Sequence, residues 1–317
     1  MTLTMIKSFF KLIRWPNLMI IFFSMFFMLF LVIRPVLGMQ ESRFGMNLWQ
    51  FILLVVATLF IAAGGYIIND IKDQESDAVN HPGKNQIGKN FTQKQAALGY
   101  VILSLLGLFA GFYLSYLVQK PQYSLVFLLT IGLLWYYAER YQCQSVVGNL
   151  VIAALSSLSF GLVWLYEIFQ LQSHGIALPL LPESISTVNT LVAIYMGFAF
   201  LSSWLREMIK DLEDLRGDEQ VGCLTYPVAH GTKKAKFLAI FVNLLGLLAA
   251  FYIQWLFYTR SLFLAFWYFM LVDALFIFVL IRLWKAKQKE DYSHLSIWVK
   301  VLMLTGILSM TLFYFEF

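Results

Sequence analysis

Charge is scarce in this 317-residue chain: Asp, Glu, Lys and Arg together make 13% of it, against roughly 25% in soluble globular domains. No long polar stretch interrupts its apolar blocks, and 60% of the residues are hydrophobic. That excludes a conventional water-soluble fold and favours one membrane domain spanning 1–317. The excess of five positive charges is spread over short connections. This arrangement suits membrane topology and not nucleic-acid binding. The four histidines, His81, His174, His230 and His294, are scattered, so they build no zinc motif. The two cysteines, Cys143 and Cys223, are far apart in sequence and have no redox or metal spacing. Free thiols are the expectation.

A membrane helix needs about 20 mostly apolar residues. Nine stretches qualify, near 16–36, 47–68, 97–118, 122–139, 147–168, 188–209, 235–257, 262–283 and 296–315. The expected fold is therefore all-α, a multi-pass bundle of about nine transmembrane helices. The apolar run from Asn17 to Ile33 exceeds a signal-peptide core, and no A-x-A-like cleavage site follows it. It is expected to stay as the first helix. Nineteen of the 23 Lys and Arg residues fall on one side of the bundle; Arg34, Arg43, Lys120 and Arg260 fall on the other. By the positive-inside rule the N-terminus and both strongly charged connections are cytoplasmic, in a cell membrane.

Those connections carry the chemistry. The second apolar stretch runs into NDIKDQESD, with Asn69, Asp70, Asp73 and Asp77. The sixth runs into KDLEDLRGD, with Asp211, Asp214 and Asp218. Both place aspartates at i, i+3 and i+7, one face of a helix. Crowded carboxylates near a membrane interface resist ionisation unless a cation joins them. Mg²⁺ takes one or two carboxylates and fills its other positions with phosphate oxygens and water. The RGD string at Arg216 to Asp218 faces the cytoplasm on this topology, which argues against cell adhesion.

These features resemble the UbiA superfamily of intramembrane prenyltransferases, over nearly the whole chain. The resemblance lies in the helix count, the NDxxDxxxD and DxxDxxxD motifs, the tail DAVNHPGKNQIGK, the run from Arg206 to Gly231 and GNLVIA at Gly148 to Ala153. It implies that Asp70, Asp73, Asp77, Asp211, Asp214 and Asp218 are catalytic and metal-binding residues for Mg²⁺, and that Asn69 joins them at a prenyl diphosphate. The tail with Asn80, Pro82 and Lys84, then Ile87 and Gly88, looks like the branch that includes geranylgeranylglyceryl phosphate geranylgeranyltransferases and chlorophyll synthases. One departure stands just before the fifth apolar stretch. Gln142 and Cys143 occupy positions where the family often has a basic pair, and Arg140 is the nearest cation.

Lys84, Arg140, Arg206 and Lys210 are the expected substrate-binding cations. Arg14 and Asn17, polar groups at membrane depth, are further candidates. The expected partners are a prenyl diphosphate, a lipophilic acceptor and membrane lipid. The acceptor is open between geranylgeranylglyceryl phosphate and an aromatic quinone or tetrapyrrole precursor. Two rival classes fit the sequence less well. A transporter would use Asp273 in the eighth stretch, but no inverted repeat is evident. A non-catalytic relative would carry degraded aspartate motifs, and both motifs are intact.

Overall fold

The structure, a computed structural model, describes residues 3–38, 44–83, 85–175 and 182–316. Two residues singled out above, Lys84 and Arg43, lie outside them. The chain opens with α1 (Leu3–Leu12), an amphipathic helix carrying Lys7 and Lys11, of the kind that lies along a membrane surface. It ends at Arg14, whose backbone is left-handed at φ 50° and ψ 52°. That turn redirects the chain into α2 (Trp15–Val36), with Pro16 in its first turn. A wider π turn at Met28–Ile33 interrupts α2 before its end.

Next come α3 (Leu48–Lys72), the short α4 (Gln74–Asn80), α5 (Gln93–Leu117), α6 (Leu125–Glu139) and α7 (Val147–Ser173). They are followed by α8 (Pro182–Gln220), the short α9 (Tyr226–His230), α10 (Thr232–Thr259), α11 (Phe263–Lys285), α12 (Lys289–Leu308) and α13 (Met310–Glu316). Long apolar runs become helices because lipid offers the backbone no hydrogen bonds, so each segment must satisfy its own. Among the described residues eight helices are long and apolar enough to cross a membrane. The ninth expected crossing, α6, has 15 residues, about 22 Å of helix. A 3₁₀ turn at Pro121–Ser124 lengthens it.

The helices pack α3 on α5, α7 on α8 and α10 on α11, with α8 also contacting α10 and α12. Close packing replaces the hydrophobic effect between helices in lipid, so small residues mark the contacts. At Gly107 of α5 an added Cβ would press on Ile61 and on the Ala57 carbonyl oxygen at 3.0 Å. Large apolar side chains such as Phe109, Leu129, Trp255 and Trp267 stay exposed on the outer surface. The protein is a multi-pass membrane bundle.

Two expectations about local structure change. By sequence the second charged connection runs from Lys210 to Lys234, yet α8 continues unbroken to Gln220. Its 39 residues extend about 58 Å, far beyond the roughly 30 Å hydrocarbon core. The second aspartate triad therefore rides on a projecting rod. The first triad does not share one helix: Asp70 ends α3, Asp73 is the break at φ −84° and ψ 6°, and Asp77 lies in α4.

Candidate active site

The break at Asp73 folds α4 back against α8, and Asn80 fastens the two. Its amide nitrogen donates to the Asp214 carbonyl oxygen at 2.8 Å, and its amide oxygen accepts from Gly217 N–H at 3.0 Å. Lys289 at the start of α12 donates to the Asn80 carbonyl at 2.7 Å. The two motifs, about 140 residues apart, thereby border one region.

Each motif carboxylate has a polar neighbour. Arg14 donates to Asp70 Oδ1 at 2.6 Å, with its guanidinium over the Tyr66 ring. Asn69 donates to Asp73. Asn85 donates to Asp77 Oδ2 at 3.2 Å. Asn149, of the GN pair opening α7, donates to Asp211 Oδ2 at 2.8 Å. His81 Nε2 lies 3.0 Å from Asp214 Oδ1, and the Thr225 hydroxyl donates to Asp218 Oδ2 at 3.2 Å. The strained backbone at Arg14 is explained by this site: the left-handed turn between α1 and α2 lets its guanidinium reach an aspartate on α3.

Burial raises the Asp73 carboxyl to about 6, with Lys210 opposing the rise and Asp77 adding to it. Burial also raises Asp77, again opposed by Lys210. A carboxyl that resists ionising in its own folded chain marks a place short of positive charge. The consequence is testable on metal-free protein. Protonated Asp73 suits the folded state, so that contribution is complete below the ordinary carboxylate value and is lost as pH rises through about 6. Thermal melting of EDTA-treated protein in detergent should fall across that window, and Mg²⁺ should reverse the loss. A melting temperature that rises through the window would contradict it.

Next to the motifs opens a cavity of about 240 Å³. Arg14, Asn17, Asn69, Arg206, Glu207, Lys210 and Lys300 line it together with apolar side chains such as Ile21, Leu134, Phe160 and Phe198 and with scattered serine, threonine and tyrosine hydroxyls. Asn17, Asn69, Arg206 and Lys210 from the sequence therefore meet at one cavity. Arg140 does not: it sits exposed at the end of α6, away from the cavity. Asp273 is buried in α11 and does not line the cavity.

Residues that sequence reasoning missed include Tyr66, Tyr137, Glu207 and Lys300, which line the cavity, and His81 and Asn149, which touch motif carboxylates. Asn149 had a local signal in its GN pair. His81 had none, because its partner is on another helix.

Mg²⁺ fits the donor set. Six carboxylates and the Asn69 amide offer hard oxygen ligands. Among the described residues the one group of three side chains with metal-ligand chemistry whose ligand atoms lie within 4.8 Å of one another is His81, Glu213 and Asp214. Mg²⁺ takes few protein ligands and completes its shell with phosphate and water, so it does not need three carboxylates in one cluster.

The cysteines overturn an expectation. They are joined as a disulfide, Cys143–Cys223, which ties the turn after α6 to the segment after α8 beside a backbone bridge between Gln144 and Leu224. Distance along the chain hid the pairing, since the two cysteines have a sequence separation of 80. Cys143→Ser should cost about 2–4 kcal/mol of stability, seen as a lower melting temperature. Thiol labelling of unreduced, denatured protein should find no free cysteine; two labelled thiols would remove the crosslink from the native state.

The sequence profile of the UbiA prenyltransferase family matches residues 35–303. The chain belongs to this family. As a UbiA-family prenyltransferase it is an enzyme. It is 33% identical over 226 residues to the digeranylgeranylglyceryl phosphate synthase of Methanothermobacter thermautotrophicus, covering 67% of this chain and 72% of that protein. It is 29% identical over 267 residues to the synthase of the same name from Methanocaldococcus jannaschii, covering 83% of each. Among solved structures, one described as giving insights into digeranylgeranylglyceryl phosphate synthase in membranes aligns with a TM-score of 0.66 at 23% identity, over 99% of this chain and 100% of that one. A UbiA homologue from Archaeoglobus fulgidus bound to DMAPP and Mg²⁺ aligns with a TM-score of 0.56 at 15% identity, over 96% and 99%. These likenesses place the prenyltransferase in the UbiA fold.

Proposed function

We propose that this prenyltransferase moves a prenyl group, of the geranylgeranyl type, from its diphosphate to the free hydroxyl of a glyceryl phosphate that already bears one such group. The observation that carries this is the two-ended cavity. Its cationic end, with Arg14, Asn69 and Lys210, adjoins the aspartate motifs, and the rest of its wall is mostly apolar. The product named for the relatives accounts for all three glycerol oxygens: two prenyl ethers and one phosphate. The acceptor one step earlier therefore has one hydroxyl left.

Asp70, Asp73, Asp77, Asp211, Asp214 and Asp218, with Asn69, would hold Mg²⁺. The chemistry that Mg²⁺ supplies when bound is neutralisation of the charge that builds on the leaving diphosphate. Lys210, which neighbours Asp73 and Asp77 in the electrostatics of the site, places a further positive charge there. The bond between the prenyl carbon and diphosphate oxygen breaks, and its electron pair leaves with the diphosphate. The acceptor hydroxyl oxygen bonds to that carbon and gives up its proton. Glu207 is the carboxylate lining the cavity, buried and bonded to Arg206 at 2.6 Å, and takes that proton. The apolar walls keep water from the reactive carbon.

The test is product analysis with purified protein in detergent, geranylgeranyl diphosphate and geranylgeranylglyceryl phosphate. One equivalent of diphosphate should appear per ether formed, and EDTA should abolish turnover. Full activity after exhaustive EDTA treatment removes the metal assignment. Turnover with an aromatic acceptor and none with the glyceryl phosphate removes the acceptor assignment. The same reading places the N-terminus and both motifs in the cytoplasm, supported by the bias of basic residues. Reporter fusions should then put the C-terminus outside; a cytoplasmic C-terminus with a cytoplasmic N-terminus would demand an even number of crossings.

A further inference from the structure

Lys300 is a cation that the reaction above leaves without a role. It belongs to neither aspartate motif. From sequence alone it counts among the charges of a cytoplasmic connection, but the structure places it more than half-way along α12. There it lines the same cavity as Arg14, Arg206 and Lys210.

Its surroundings explain why that matters. Four cations line the cavity against one carboxylate, Glu207. Arg14 is paired with Asp70, and Arg206 with Glu207. Lys210 has Glu207 and Asp214 as its strongest charged neighbours, ahead of Arg14 and Asp73. The main charged neighbours of Lys300 are Arg206 and Arg14, ahead of Glu207 and Glu213. None of the ion pairs among the described residues includes it. A half-buried lysine set beside two arginines, in a membrane helix and lining a cavity, costs free energy unless an anion arrives.

Chemistry narrows that anion to one of the two substrates. The donor diphosphate already has a place between the aspartate motifs. In a prenylated glyceryl phosphate the reacting hydroxyl and the phosphate share a three-carbon skeleton. When the hydroxyl approaches the prenyl carbon, a second phosphate is thereby drawn toward the diphosphate. Two such anions repel strongly in a medium of low dielectric. Cations outside the motifs are what would let both enter together.

We propose that Lys300, with Arg206 beside it, is a second anion subsite of the cavity, which takes the acceptor's phosphate and so selects phosphorylated acceptors over neutral ones. This deepens the acceptor assignment above and rests on it.

Steady-state kinetics and binding test the proposal. Lys300→Met keeps most of the apolar stem and removes the charge, and Lys300→Arg restores the charge. In Lys300→Met the KM for geranylgeranylglyceryl phosphate should rise about ten- to hundredfold, the worth of one charge-assisted hydrogen bond. The KM for geranylgeranyl diphosphate should stay within about twofold, and Lys300→Arg should recover most of the loss. Binding is measured separately, without Mg²⁺ or donor, using the phosphorylated acceptor and its dephosphorylated alcohol. Wild type should prefer the phosphate form, and in Lys300→Met that preference should collapse. A monodisperse Lys300→Met that keeps the preference overturns the subsite, as does a rise confined to the donor KM, which would assign Lys300 to the diphosphate. A wild-type protein that neither binds nor uses the glyceryl phosphate overturns the acceptor assignment itself, an outcome distinct from both.

Discussion

Asp70→Ala and Asp214→Ala are each expected to lower single-turnover prenyl transfer by about a hundredfold or more, and the double variant is expected to be little worse than either. Residues that act as one unit lose most of their function at the first deletion. The structure supports one unit: Asn80 bonds the backbone at Asp214 and Gly217 from the helix that follows Asp70 and Asp73. Asp70→Ala has a second effect, since it leaves the half-buried Arg14 guanidinium without its partner. Folding should survive, because removing one carboxylate from a like-charged group relieves repulsion when metal is absent. Glu75 is the control. It lies within the first motif, is exposed and falls off the i, i+3, i+7 pattern, so Glu75→Ala should cost less than about threefold. Glu213, equally off-pattern in sequence, is not a clean control. Its carboxylate groups with His81 and Asp214, and an intermediate loss is expected. Equal losses at Glu75 and Asp70 would mean a diffuse acidic surface in place of a defined site.

Gly217→Ala is the second large effect, and it acts through packing. A Cβ at Gly217 would overlap the Asn80 side chain and come within 2.8 Å of the Ser76 carbonyl oxygen. Asn80 cannot yield without giving up its bonds to Asp214 and Gly217. The backbone oxygen cannot yield unless α4 moves. Overpacking of this kind costs about 1–3 kcal/mol. Here it would also separate the two motifs, so activity should fall by at least about tenfold beyond any stability loss. Gly197→Ala, on the same helix with open space around it, should be neutral or stabilising by up to about 1 kcal/mol. Melting temperature and single-turnover rate, measured together on both variants, decide the matter. A Gly217→Ala protein as active as Gly197→Ala would show that the α4–α8 contact does not position the aspartates.

Gly217 also shows where sequence reading stops. In the sequence it is the centre of an RGD string; in the structure it is the place where one helix lets another approach. The apolar runs were legible because lipid forces each to satisfy its own backbone, which makes length and hydropathy sufficient evidence. The two aspartate triads were legible because a spacing of three and seven residues is local. Even so, the first triad is bent at Asp73, a change of helix direction that the spacing does not encode.

Composition and local spacing thus determined that this is a membrane bundle with two acidic motifs, and the motif residues pointed to prenyl transfer. Tertiary structure alone decided the rest. It brought His81 to Asp214, Arg14 to Asp70 and Asn149 to Asp211. It left Arg140 outside the cavity and joined Cys143 to Cys223. It also moved Lys300 from an apparent topology signal into the cavity wall. The physical reason is common to all of these. Helix periodicity relates residues within a turn or two of one another, whereas a cavity is closed by side chains from helices whose order in the chain says nothing about which faces meet.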